Sequence, residues 1–171
     1  YFTGNAPAGT GWRSSNTWPG AGTWPAKFYL AGGSPSGGEL KPLAPEGAGS
    51  RTAFTVRYDV DCPAVAGRPG GLLTGAPPCP VDHGGPRFAT APLETDTEVT
   101  GDAIVDLWMS SSADDGNIFV YLEDVASDGK VTQVTDARLK ASLRATSRPG
   151  YDNYGLPYHR SHREDVRPLK P

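Results

Sequence analysis

Long apolar runs, histidine, cysteine and excess positive charge are all scarce in this chain, and each shortage closes off a class of protein. No hydrophobic stretch approaches the roughly 18 residues of a bilayer-spanning helix, and no signal-peptide pattern stands at the start, so no membrane partner is expected. Lysine and arginine number 16 against 19 acidic residues, for a net charge of −3 and a pI near 5.6. That balance gives no electrostatic basis for binding nucleic acid or an anionic membrane surface. Two cysteines and three histidines are too few and too scattered for a zinc centre. Helix-forming runs are equally short; only residues 138–144 qualify as a brief helix.

What is present favours short strands and long loops. Glycine (22) and proline (17) together exceed a fifth of the 171 residues, while 37% of the chain is apolar. That length suits one domain with a core and is too short for two comfortable ones, so residues 1–171 are read as a single domain.

Residues 97–144 carry the strongest pattern. Two apolar runs, 103–109 and 118–125, flank a polar turn at 110–117, and each is too short for a helix and rich in β-branched and aromatic residues. Both are expected to be central strands, apolar on nearly both faces. Ser127-Asp128-Gly129-Lys130 is a hairpin signal leading into a strand at 131–134. Further short strands are expected at 1–4, 27–31 and 52–58, and residues 87–91 lead toward the central hairpin. Residues 32–50, mostly Gly, Pro, Ser and Ala around an isolated Leu40, are expected to be a surface excursion.

Several residues invite a functional role. Trp12, Trp18 and Trp24 fall within one Gly/Pro-rich segment and are candidates for stacking on sugar rings; the favoured role is to staple a coil segment to the protein body. Asp59 and Asp61 resemble a hard-cation pair, but a strand-end turn accounts for them better. Cys62 and Cys79 bracket an irregular loop, and a disulfide there is expected to stabilise by about 3 kcal/mol. That bond tilts localisation toward an extracellular or secreted protein, with two cytoplasmic thiols as the alternative. His159 and His162 would need a helix and a further ligand to hold a metal, so no metal is assigned.

Catalytic machinery is hard to find. Gly33-Ser34-Pro35-Ser36-Gly37 has proline where a nucleophile elbow needs serine, and Ser127 to Lys130 matches S-x-x-K only on a hairpin turn. There is no H-E-x-x-H and no phosphate loop after a strand, so the isolated chain is not expected to be an enzyme or to take a cofactor.

An ordered set of short pieces then carries a resemblance. It comprises Trp12-Arg13 with Trp18-Pro19, Phe28-Tyr29-Leu30 with Gly32-Gly33, Tyr58-Asp59 with Pro63, Gly70-Gly71-Leu72, and Pro92-Leu93 with Glu98-Val99-Thr100-Gly101. It continues through Leu107-Trp108, Ser110 to Ala113, Leu122 to Val125 with Asp128-Gly129, and Val134-Thr135-Asp136 with Leu139 and Arg144. Together these resemble the C-terminal non-catalytic domain of the X-Pro dipeptidyl-peptidase and cocaine-esterase (CocE/NonD) serine hydrolases. One departure is Asp114 to Phe119, where relatives have an aspartate-threonine-aspartate-phenylalanine run.

The resemblance implies an all-β, galactose-binding-like jelly-roll sandwich whose partner is a preceding α/β-hydrolase catalytic domain, absent from this chain. It carries over no catalytic residue, and it implies that Gly71, Leu72 and Leu73 lie nearest substrate. Relatives also continue beyond the position of Pro171, so the sandwich is expected to lack its last strands and to expose a strand edge. The expected function is therefore a non-catalytic domain that caps and shapes the active site of an ester or peptide hydrolase. The alternative is a carbohydrate-binding module, and a role in homo-oligomer contacts is compatible with the first expectation.

Overall fold

The computed structural model describes residues 1–4, 6–47, 51–57 and 85–170. They form five strands and two short 3₁₀ turns, so the all-β expectation holds for them. The strands are β1 (Tyr29–Ser34), β2 (Gly37–Lys41), β3 (Arg87–Ala89), β4 (Asn117–Val125) and β5 (Val131–Lys140), and the 3₁₀ turns are Ala141–Leu143 and Arg163–Asp165. The chain divides into two compact units: Tyr1–Ala21 with Thr100–Pro171, and Gly22–Val99.

The Gly22–Val99 unit holds a three-stranded sheet in the order β1-β2-β3, with β1 and β2 antiparallel and β2 and β3 parallel. The glycine-rich stretch read as an excursion is thus partly a hairpin. Leu40 is not isolated but sits across from Leu30, and the strand expected at 27–31 begins two residues later and runs to Ser34. Glycine makes the third strand possible. Gly37 has φ 114° and lies against the β3 backbone, where a Cβ would collide with the Arg87 carbonyl, so any side chain there would push β3 away. Of the strand expected at 52–58, residues 52–57 enter no ladder among the described residues and residue 58 lies outside them; Thr52 Oγ1 donates to Gly32 O at 3.4 Å.

The other unit is built on the hairpin β4-β5. Alternation along its register puts the pairs Ile118–Leu139, Val120–Ala137 and Leu122–Thr135 on one face, while Phe119–Arg138 and Tyr121–Asp136 share the opposite one. The first face is almost wholly apolar. On the second, the Arg138 guanidinium lies 5.9 Å from the Phe119 ring and 3.1 Å from Asp136 Oδ2. A bulge after Leu122 leaves Val134 as the extra residue.

Three expectations are corrected here. The strand anticipated at 131–134 continues to Lys140, so residues 138–140 are strand rather than helix, because Ala137 and Leu139 keep the apolar alternation opposite Val120 and Ile118. Residues 103–109, expected to be the first central strand, form no ladder among the described residues, where no backbone hydrogen bond reaches them. Residues 1–4 contribute only a single antiparallel bridge, Phe2 with Trp12. Among the described residues, the buried apolar side chains are Ala31, Ala141 and Leu169.

The turn between β4 and β5 follows its sequence signal. Asp128 Oδ1 accepts from Lys130 N at 2.9 Å, Gly129 N donates to Ala126 O at 2.9 Å, and Gly129 has φ 83°. A Cβ on Gly129 would meet nothing within 4 Å, so its cost is conformational alone. Gly129→Ala is expected to destabilise the hairpin by about 1 kcal/mol, read as a lowered midpoint of urea unfolding.

Candidate functional site

At the start of the first unit, two aromatic pairs form around the Phe2–Trp12 bridge. Thr3 N donates to Gly11 O at 2.8 Å and Arg13 N to Tyr1 O at 2.9 Å, fixing the two segments side by side. Phe2 and Trp12 then meet edge to face with centroids 5.3 Å apart, as do Tyr1 and Trp18 at 5.6 Å. Trp18 Nε1 donates to Asp102 Oδ2 at 2.8 Å, a bond 84 residues long in sequence. Trp18 therefore acts as a staple, with its ring edge and its N–H both engaged. Trp12 remains 78% exposed, and Trp24, in the other unit, is 87% exposed.

The tightest chemistry of this unit lies where β4 begins and β5 ends. Asp114-Asp115-Gly116 leads into β4, and its Asp115 carboxylate gathers four donors. Oδ1 accepts from Gly116 N at 2.8 Å and Ser142 N at 2.9 Å; Oδ2 accepts from Ser142 Oγ at 2.8 Å and pairs with Lys140 Nζ at 3.1 Å. Desolvation pushes the Asp115 pKa up, but the hydrogen bonds from Ser142, Gly116 and Lys140 outweigh it and hold the group well below the usual carboxylate range. Ala141 N donates to Gly116 O at 2.8 Å beside this clasp.

The C-terminal segment is laid across the same 3₁₀ turn. Arg167 N donates to Ser142 O at 2.7 Å and Leu169 N to Asp114 O at 2.6 Å, while Arg144 donates to the carbonyls of Ala141, Arg167 and Pro168. A second carboxylate braces this strap. Arg160 grips Asp165 in bidentate fashion at 2.7 and 2.8 Å, and Asp165 Oδ2 also accepts from His162 N at 3.2 Å. The Arg160 hydrogen bonds lower the Asp165 pKa despite desolvation, and the Arg160 pKa is raised in turn.

Neither carboxylate was legible as a site in the sequence. Asp115 stood in a motif departure, and its partner Ser142 is 27 residues away. Asp165 stands in a stretch of mixed charge, residues 159–165, yet it is buried. His159 Nδ1 lies 3.2 Å from Ala145 O. Among the described residues, no three His, Cys, Asp or Glu side chains gather in a way that would hold a metal ion. An open cavity between 146 and 156 is lined by Arg148, Tyr151, Asp152 and Asn153, and the Ser147 Oγ there is buried without a hydrogen-bond partner.

Gly71, Leu72, Leu73, Cys62, Cys79, Asp59 and Asp61 all lie outside the described residues. Among the described residues, no helix is long and apolar enough to cross a membrane.

Comparison with known proteins places this all-β chain in the class of accessory domains carried by hydrolases. It belongs to the family of the X-Pro dipeptidyl-peptidase C-terminal non-catalytic domain, whose model matches residues 3–171. Two curated relatives, from Mycobacterium bovis and Mycobacterium tuberculosis, each bear the name "putative serine esterase" and are 30% identical to it over 180 residues. The match takes in 94% of this chain and 26% of each relative, so the chain spans about a quarter of their length. No solved structure matches it.

The two carboxylates set an acid limit. A group whose folded pKa is depressed contributes stability above its unfolded pKa, about 3.9 for aspartate, and that contribution is lost as pH falls through the folded value. Wild-type stability is therefore expected to drop between about pH 5 and pH 2, and the drop is expected to be shallower in Asp115→Asn and Asp165→Asn. Urea midpoints across that range check it; equal slopes for all three proteins would remove the role assigned to the carboxylates.

Proposed function

We propose that this domain is the C-terminal, non-catalytic part of a larger serine hydrolase acting on acyl esters or Xaa-Pro peptides, and that it caps and shapes that enzyme's active site. The family match over residues 3–171 carries this proposal. The name borne by the mycobacterial relatives and their nearly fourfold greater length support it. In this scheme the catalytic nucleophile, acid and base reside in an α/β-hydrolase domain of the same polypeptide, which is the domain's principal partner. The sandwich is a jelly roll, and its contribution to the reaction is positional. It holds the loop bearing Gly71, Leu72 and Leu73 as an apolar wall for the acyl or side-chain group, with Cys62 and Cys79 closing that loop as a disulfide in an exported protein.

Carbohydrate binding through Trp12, Trp18 and Trp24 is the second proposal, and the exposure of Trp12 and Trp24 is what favours it. It ranks lower because Trp18 is already committed to Tyr1 and Asp102.

Labelling with a fluorophosphonate tests the first proposal. The full-length polypeptide is expected to react and the 171-residue chain alone is not; labelling of the isolated chain would overturn the accessory role. In the full-length enzyme, Leu72→Trp is expected to raise KM for bulky acyl esters by roughly tenfold with a much smaller change for acetyl esters, about the discrimination that one crowded apolar contact gives. An unchanged KM ratio would remove Leu72 from the substrate wall.

A further inference from the structure

The segment that follows the 3₁₀ turn Ala141–Leu143 bends back on itself and frames an open cavity that the Asp115 clasp does not use. Ser147 N donates to Tyr158 O at 2.9 Å, so the two ends of the stretch 147–158 are held together. The Tyr151 and Tyr158 rings meet edge to face with centroids 6.1 Å apart. Within the bend, Asp152 Oδ1 accepts from Tyr154 N at 3.0 Å and Asn153 Nδ2 donates to Leu156 O at 2.7 Å. These bonds hold Tyr154 at φ 58° and Gly155 at φ 75°, a left-handed pair that reverses the chain. The cavity measures about 970 Å³, which is within the range of small-molecule sites.

Polar groups in its wall are left without partners among the described residues. The Ser147 hydroxyl oxygen is buried and makes no hydrogen bond, which is uncommon for such a group. The Arg148 guanidinium and the second Asp152 oxygen, Oδ2, enter neither a hydrogen bond nor an ion pair there. Arg148 and Asp152 thus line one cavity with opposite charges and do not pair with each other. An uncharged ligand would leave both charges unanswered, an anion would meet Asp152, and a cation would meet Arg148. A molecule bearing both charges answers both. We propose that this cavity binds a free α-amino acid. Its carboxylate lies on the Arg148 guanidinium and the Ser147 hydroxyl, its ammonium on Asp152 Oδ2, and an aromatic side chain against Tyr151, which is 64% exposed. The assignment uses residues of this chain alone and holds whether or not the parent polypeptide is a hydrolase.

Titration calorimetry tests this on the full-length polypeptide that carries residues 1–171, treated beforehand with fluorophosphonate so that a serine hydrolase centre cannot take up the probes. The probe is phenylalanine, with hydrocinnamate (no ammonium), phenethylamine (no carboxylate) and glucose (neither charge) as controls. Phenylalanine is expected to bind on the order of tenfold or more tightly than each control. Absence of phenylalanine binding overturns the inference. So does equal or tighter binding of any control: hydrocinnamate would make the cavity an anion site, phenethylamine a cation site and glucose a saccharide site. Arg148→Gln is expected to weaken phenylalanine and hydrocinnamate alike by roughly tenfold. Asp152→Asn keeps the oxygen that Tyr154 N uses, and is expected to weaken phenylalanine by a similar factor while hydrocinnamate is not weakened. Unchanged phenylalanine affinity in either variant overturns the two-charge site. A polypeptide that the fluorophosphonate fails to label refutes the hydrolase assignment, while these titrations still decide the cavity.

Discussion

A single carboxylate holds the first unit together. Asp115 is satisfied by two backbone amides, a hydroxyl and an ammonium, and these donors come from both ends of the β4-β5 hairpin. A hairpin of nine- and ten-residue strands, isolated in water, is at best marginal, because its strands can fray from the open end. Asp115 closes that open end. With Ser142 fixed, its carbonyl receives Arg167, and Asp114 receives Leu169, so the strap that ends the chain depends on the same clasp. Among the described residues, the buried side chains Ala141, Ser142 and Leu169 of this unit lie in or against this polar knot rather than in an apolar centre.

That inversion fits an accessory domain. Apolar faces on β4-β5 and along 103–109 stay open, while order is maintained by charge-assisted hydrogen bonds, which are directional and do not need a large buried area. Such a module keeps its own geometry and still offers apolar surface to a neighbour. Exposed apolar stretches of that kind are otherwise an aggregation liability.

Local patterns were legible in the sequence wherever a short-range rule decided the outcome. Asp128-Gly129 set its turn, the apolar alternation at 118–125 set β4, and the Gly/Pro content excluded long helices. What escaped was set by partners distant in sequence. Leu40 acquired meaning only through Leu30, and Trp18 only through Asp102. Asp115 needed Ser142, and Asp165 needed Arg160, whose fork picks one acid out of a run of mixed charge. The strand expected at 103–109 has the apolar pattern but no ladder partner among the described residues, and no local rule supplies one. Family membership was legible because it rests on many weak pieces in order, whereas the loop holding Leu72 and the two cysteines lies beyond the described residues.

The bulge at Val134 divides the hairpin into two regions with different tolerance to evolutionary change. On the clasp side, Ile118, Val120, Ala137 and Leu139 are locked in register, and a one-residue insertion there would send every apolar side chain to the wrong face. On the turn side, an inserted or deleted residue can be absorbed by shifting or removing the bulge. The tip around Ser127 to Lys130 is thus free to vary in length between relatives, a place where a protein of this family can acquire new surface without disturbing what the clasp holds.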